Sequence, residues 1–189
     1  MRSPWVPELL DRAKARPGEL TYASGGVGSA NHLAGALFCA LAGTAMTHVP
    51  YRGVSQAVTA VYAGEIDLIF GSTLELLQHV GQGRARLLGV TTPARVPALP
   101  DVPAIAEFVP GYAAPNWFCL MAPKGLPPAL LSRLVAELAS LRDAPEFEAR
   151  LADGAAIPRL DGPVPLAARI ADEVRKWRDL VASAGIRPE

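Results

Sequence analysis

Charge of one sign, aromatic rings and cysteine are all in short supply in this chain, and each shortage removes a class of function. Lysine plus arginine balances aspartate plus glutamate at 18 each, and only 19% of the 189 residues are charged. No global field then draws in nucleic acid or an anionic membrane surface. Phe, Trp and Tyr make up 6% of the chain, too little for platforms on which bases stack. The two cysteines, Cys39 and Cys119, lie in apolar runs with no histidine cluster beside them, and read as buried free thiols rather than metal ligands. No apolar run approaches the ~20 residues of a membrane-spanning helix. The opening stretch, Met1-Arg-Ser-Pro-Trp-Val-Pro-Glu8, has no leader-type apolar segment, so a chain made as written is expected to stay in the cytoplasm. Neither a Gly-x-Ser-x-Gly elbow nor a phosphate loop ending in Lys-Ser or Lys-Thr occurs. What is plentiful is apolar surface (50% of residues), with 17 Gly and 18 Pro, enough for a real core of one domain or slightly more.

The chain is organised around Tyr22-Ala-Ser24-Gly25-Gly26-Val-Gly28-Ser29-Ala-Asn31-His32. A short β-like run precedes it and an apolar helix follows from Ser29. Glycines let the backbone turn sharply and leave its N–H groups unscreened by Cβ atoms. The first turn of a helix has unpartnered N–H groups and the positive end of the macrodipole. Strand, glycine loop and helix start together make a place for an anion. A tight strand-to-helix turn with a serine cap and no ligand is the other reading. The dinucleotide fingerprint is excluded, because Asn31 stands where its third glycine is required. The anion reading therefore favours a small carboxylate.

Along the chain, periodicity predicts a helix over 6–16, a strand over 20–23, a helix over 32–42 and a strand over 46–51. A helix over 55–62 capped by Ser55, a strand over 67–70, a helix from 73 to 79 and a fourth strand over 85–91 follow. Alternation with such short connections is the pattern of a parallel sheet covered by helices. Ligands of such sheets sit beyond the carboxyl ends of the strands. Those ends are 24–28, 51–53 and 71–73, all small or polar and two of them leading into helices.

From Pro93 to Pro115 six prolines mark a crossing segment rather than a core element. A buried strand is expected over 116–122, and a second near Ala156 and Ile157. Helices are expected over 128–141, with an apolar stripe at Leu130, Leu131, Leu134, Val135 and Leu138, over 146–152 and over 165–184. This half offers more apolar helix surface than sheet to receive it.

Leu-Thr-Tyr-Ala-Ser-Gly-Gly-Val-Gly-Ser-x-x-His-Leu-Ala-Gly at 20–35 resembles the Bug family of periplasmic solute-binding receptors of tripartite tricarboxylate transporters. So do His48-Val-Pro-Tyr-Arg-Gly53, Gly64-Glu-Ile-Asp-Leu-Ile-Phe70 and Leu88-Gly-Val-Thr-Thr-x-x-Arg95 running on to Leu99-Pro-Asp-Val-Pro103. Pro110-Gly-Tyr112, Trp117-Phe118 and Ala122-Pro-Lys-Gly125 extend the likeness over most of the chain. The resemblance implies an α/β fold of the periplasmic-binding-protein-like type II, with two lobes closing over a di- or tricarboxylate, amino acid or aromatic acid. It implies no cofactor, a periplasmic location and delivery of the solute to membrane permease subunits. By the same likeness 1–17 border the first lobe, 18–91 are the complete second lobe, 92–115 cross over, and 116–189 are the C-terminal part of an incomplete first lobe. The family's first strand and first glycine loop would precede Met1, so the chain reads as N-terminally truncated. Gly71-Ser72 departs from relatives that carry an acidic or amide residue after the phenylalanine.

The candidate ligand-binding residues are Ser24, Gly25, Gly28 and Ser29, through N–H groups and hydroxyls, with His32 either reaching the ligand or bracing the loop. Tyr51 and Gly53 border the cleft, and Gly71, Ser72 and Thr73 form the third edge. Arg52 reads as an exposed loop arginine, His48 as structural within the sheet, His79 as solvated, and Trp117 as packing at the lobe junction. Glu65 and Asp67 lie at the wrong end of their strand for acid–base work. An enzyme on this fold would need a nucleophile–base pair, which the sequence does not display. A remnant that binds nothing and self-associates through its exposed sheet edge is the remaining alternative.

Overall fold

The structure, a computed structural model, describes residues 5–187. The reading of residues 1–4 lies outside them. Helix α1 (Trp5–Ala15) buries Val6 and Ala13 on one face. There follow β1 (Thr21–Ser24), α2 (Ala30–Ala42), β2 (Thr47–Pro50), α3 (Val54–Tyr62), β3 (Leu68–Ile69) and α4 (Thr73–Val80). After a long connection come α5 (Pro128–Ser140), α6 (Pro145–Asp153) and α7 (Pro163–Ser183).

The strands form a parallel sheet in the order β2-β1-β3, with Tyr22 opposite both His48 and Leu68, and Ala23 opposite Val49 and Ile69. Side chains alternate between the faces of a strand. One face accordingly gathers Tyr22, Leu68 and Phe70 with Ala34, Leu37 and Phe38 of α2 and Leu180 of α7. The other gathers Ala23 and Ile66 with Ala57 and Ala60 of α3. Phe38 has no exposed surface, and burying a ring of that size stabilises by about 1.5–3 kcal/mol. Gly43, in the left-handed conformation, ends α2 and donates its N–H to the Cys39 carbonyl. At the opposite strand ends Asp67 Oδ2 accepts from both the N–H and the hydroxyl of Thr21, each at 2.8 Å, so that carboxylate is a tie between β1 and β3.

Four sequence-based expectations are corrected. Residues 85–91 are not a fourth strand: Val90 makes a single parallel bridge to Ala104, and Thr91 O accepts from Ala114 N at 2.9 Å. Their hydrogen bonds go to the crossover instead of the sheet. The crossover itself belongs to the core. Val109 and Tyr112 are 2% and 1% exposed, and the Tyr112 hydroxyl donates to the Ala34 carbonyl at 3.2 Å. Prolines remove backbone donors, but the apolar residues between them fill the space beside α1 and α2. An Arg95–Glu107 fork with contacts of 2.8 and 2.9 Å holds this segment's turn.

Residues 116–122 pair with no strand among the described residues, and Phe118, Leu120 and Met121 are 76%, 71% and 74% exposed. Cys119 is exposed with them, while Cys39 is half-buried. A buried strand needs neighbours on both sides, and the described chain supplies none here. The segment at Ala156 and Ile157 is likewise not a strand, and Ile157 is exposed. The apolar stripe of α5 is present but buries no residue, and α6 buries none either. α7 is anchored through Leu180, the Lys176 ammonium on the Ala113 carbonyl, and its packing on α2.

Gly35 supplies a test of the α2–β1 packing. Replacing a mid-helix glycine with alanine ordinarily stabilises by about 1 kcal/mol. Here a Cβ would lie 2.3 Å from the Tyr22 ring. Gly35→Ala is expected to destabilise instead, by about 1–3 kcal/mol, read as a lowered urea midpoint with unchanged slope.

Candidate functional site

Because the three strands are parallel, Ser24, Pro50 and Ile69 end at one edge of the sheet, and three loops leave from it. Those loops touch one another. The Tyr51 N–H donates to the Ser24 carbonyl at 3.0 Å. A Cβ on Gly25 would lie 3.0 Å from Val54 Cγ2 and 3.2 Å from its nitrogen, so glycine lets the first loop lie closely against the start of α3. The Asn31 side-chain amide donates to the Phe70 carbonyl and draws the start of α2 to the end of β3.

Within the first loop Gly26 and Gly28 have φ of +132° and +78°, a region that side chains with a Cβ avoid. Ser29 caps α2: its backbone is extended and its hydroxyl accepts from the His32 N–H. The first-turn amides of α2 have no carbonyl one turn back, and they stand at the positive end of the helix.

Ser24 is wholly buried. Its hydroxyl oxygen accepts from the Gly26 N–H at 3.1 Å, lies 3.0 Å from the Gly26 carbonyl and 2.6 Å from His48 Nε2. The hydroxyl therefore shapes the loop from behind and takes up the Gly26 N–H itself. His32, 7% exposed, accepts the Gly28 N–H on Nδ1 at 3.0 Å. Its ring lies flat on that of His48, centroids 3.7 Å apart and planes 5° from parallel. Tyr22 packs against His48 at 5.1 Å. Burial lowers the pKa of His32; burial and then the neighbouring His32 lower that of His48 to about 4. Both imidazoles are neutral at pH 7, and His32, accepting on Nδ1, carries its proton on Nε2.

At the other two loops, Gly53 with φ of +152° precedes α3. The expected Ser55 cap is thus corrected: the helix starts one residue before Ser55, without a side-chain cap. Tyr51 is half-buried against the α3 face, and Arg52 is exposed. Gly71 passes so close to Leu76 that a Cβ would lie 2.6 Å from Cδ1. Ser72 is 9% exposed and holds the cap position of α4 without a side-chain cap bond, with Thr73 beginning that helix. His79 is not simply solvated; it is half-buried with its ring 4.5 Å from that of Tyr62. Trp117 is half-buried under the Arg169 guanidinium, 5.3 Å from its ring centre.

His48 is the residue that the sequence reading missed. Its strand position suggested a structural role, whereas the parallel register puts it on the α2 face beside Tyr22 and within reach of the glycine loop. A Ser24–His48 contact is formally the nucleophile–base pair that the sequence did not display. Ser24 is buried beneath its own loop, however, and a base with a pKa near 4 draws few protons at neutral pH. No group of three metal-ligating side chains occurs among the described residues. No described helix is long and apolar enough to cross a membrane. An open trough of about 2260 Å³ lies elsewhere, between Leu87–Leu88, the exposed segment at Phe118 and the α5 face at Leu131 and Leu134. It reaches the site only at Gly71–Thr73.

Two outcomes follow for stability. Ser24→Ala removes the acceptor of the Gly26 N–H and the partner of His48, and should cost about 1–3 kcal/mol in urea denaturation at neutral pH. Unfolded histidine takes up a proton near 6.5, while folded His48 resists until about 4. Between those values the unfolded chain binds more protons, so thermal stability should fall as the pH is lowered through that window. Above pH 7 this contribution is flat. A His48→Phe variant should show a shallower fall.

The profile of the tripartite tricarboxylate transporter family receptors matches residues 3–186. A Pseudomonas sp. (strain P51) protein from a tcbD–tcbE intergenic region is 38% identical over 178 residues, 93% of this chain and 53% of that protein. Bordetella pertussis BugT is 34% identical, over 95% of this chain and 55% of its own length. The chain thus spans about half the length of these curated relatives. Among solved structures, an R. palustris protein with adipate superposes with a TM-score of 0.88 at 30% identity, covering 100% of this chain and 63% of its own. The periplasmic binding protein BugD superposes at 0.81 with 28% identity, over 97% of this chain and 62% of its own. MatC from Rhodopseudomonas palustris with bound malate superposes at 0.78 with 27% identity, over 93% and 61%. A profile match over nearly the whole chain, on a parallel sheet shared with solved binding proteins, makes this chain a member of the tripartite tricarboxylate transporter receptor family.

Proposed function

We propose that this chain forms one side of a cleft that binds a small carboxylate for a tripartite tricarboxylate-type transporter. The ligand's carboxylate sits beside Gly25 and Gly28 of the first loop, against the first-turn N–H groups of α2, because the Gly26, Gly28 and Ser29 N–H groups are taken up by Ser24, His32 and the Gly26 carbonyl. His32 Nε2–H lies at the margin, Tyr51 and Gly53 form the second edge, and Gly71, Ser72 and Thr73 the third. The observation that carries this reading is the meeting of three strand ends at a glycine loop and helix start, in a family whose solved members hold adipate and malate. Neutral, hydrogen-bonding groups suit an anion that must be bound and then released, because they bind without the desolvation penalty of a buried ion pair. The receptor works outside the cytoplasm and hands its solute to membrane permease subunits. It performs no chemistry and needs no cofactor.

Thermal melting with adipate, malate and a panel of related acids tests the reading. At ~100-fold over its Kd, an acid that binds only the folded chain adds about 2.7 kcal/mol, a rise of roughly 5–11 °C. A melt that no acid shifts would overturn it. A second reading rests on the exposed Phe118, Leu120 and Met121 beside the unburied α5 stripe, which favour self-association of this chain. Sedimentation at several concentrations decides that point: a mass that rises with concentration supports it, and a constant monomer mass rejects it.

A further inference from the structure

We infer that His32 and His48 are positioning residues: as a stacked neutral pair they engage the Gly28 N–H directly and the Gly26 N–H through Ser24, which fixes the shape of the loop leading into α2, and protonation releases that hold. The inference rests on the carboxylate reading above and assigns the control of that site to two side chains behind it.

One unbroken chain of contacts carries the argument. The Gly28 N–H is held by His32 Nδ1, His32 lies flat on His48, His48 Nε2 meets the Ser24 hydroxyl, and that hydroxyl accepts the Gly26 N–H. Its two ends are the two glycines of the loop with positive φ. Glycine has little conformational preference of its own. The tie to His32 therefore sets the orientation of the Gly28 peptide.

The tie depends on charge state. A protonated His32 carries hydrogen on Nδ1, directly opposite the Gly28 N–H, and two donors cannot share that contact. Two stacked imidazolium rings would also repel at 3.7 Å. The groups facing the pair are Tyr22 from β1, whose phenol is pushed further above its ordinary range by burial, and the Ser24 hydroxyl. Neither carries charge at neutral pH, so nothing described beside the rings would favour an imidazolium. Burial lowers both pKa values in agreement with this geometry.

The test uses His32→Phe, which keeps a stacked ring but removes the acceptor, and His32→Asn, whose side-chain oxygen falls near the place of Nδ1. Amide spectra of the whole chain, labelled with nitrogen-15, are recorded from about pH 7.5 down to about pH 4. The Gly28 amide should titrate together with the His32 ring in the native protein. It should be displaced and pH-independent in H32F, and return toward its native position in H32N. A Gly28 amide indifferent to H32F and to pH would overturn the inference. Adipate titrations on the same proteins give the second reading. H32F should bind about tenfold more weakly and H32N within about threefold of native, as expected for one misdirected hydrogen bond. The gap between native and H32F should narrow in acid, where the acid's own ionisation is common to both proteins. Equal affinity of native and H32F would overturn the inference. If the native chain binds no adipate, the carboxylate reading fails by itself, and the Gly28 resonance still decides whether the histidines set the loop.

Discussion

The Tyr22 ring lies across Gly35 at a distance that no residue carrying a Cβ would permit at that position, and that contact sets how near the helix comes to the sheet. β1 is the central strand, so its residues must serve two neighbours and two faces together. Tyr22 is turned toward α2, Ala23 toward α3, and Ser24 back under the loop. A larger residue at 35 would hold α2 off, and His32 in its first turn would no longer lie on His48. Core packing and the binding loop therefore share one constraint.

That loop is built almost without charge. Its shape comes from two glycines, a buried hydroxyl and two imidazoles, which take up the Gly26 and Gly28 N–H groups. The first-turn N–H groups of α2 are fixed in direction and cost little to desolvate compared with an ionised side chain. The same economy explains why the acidic residues stay out of it: Asp67 is used at the far edge of the sheet to tie β1 to β3.

The remainder of the molecule packs far less completely. α5 and α6 bury no residue, and the extended segment at 116–122 leaves three large apolar side chains in solvent beside the open trough. Solved relatives share the fold over all or nearly all of this chain while being longer by more than a third of their own length. The apolar stripe on α5 is the pattern of a helix that lies on a sheet, yet the described residues place no strands beneath it.

Much of this was written locally. The 3.6-residue stripes of α1, α2 and α7, the glycine stops and the short runs of β1 and β2 depend on neighbours in sequence, and each was found within a residue or two. The glycine loop and its serine cap were legible for the same reason, since positive φ and capping are local requirements. The family likeness was legible from motifs in order along the chain. What the tertiary structure alone decided was partnership over distance. Residues 85–91 and 116–122 look like strands, but a strand exists only where another backbone receives its hydrogen bonds, and here the first segment found the crossover and the second found none. The crossover joined the core because Val109 and Tyr112 fit beside α2, which no count of prolines reveals. His48 became part of the loop because the parallel register set it opposite Tyr22, under a histidine sixteen residues earlier in the chain. Local geometry is encoded by side-chain shape one residue at a time; contact between distant residues is settled only when the whole sheet and its helices pack together.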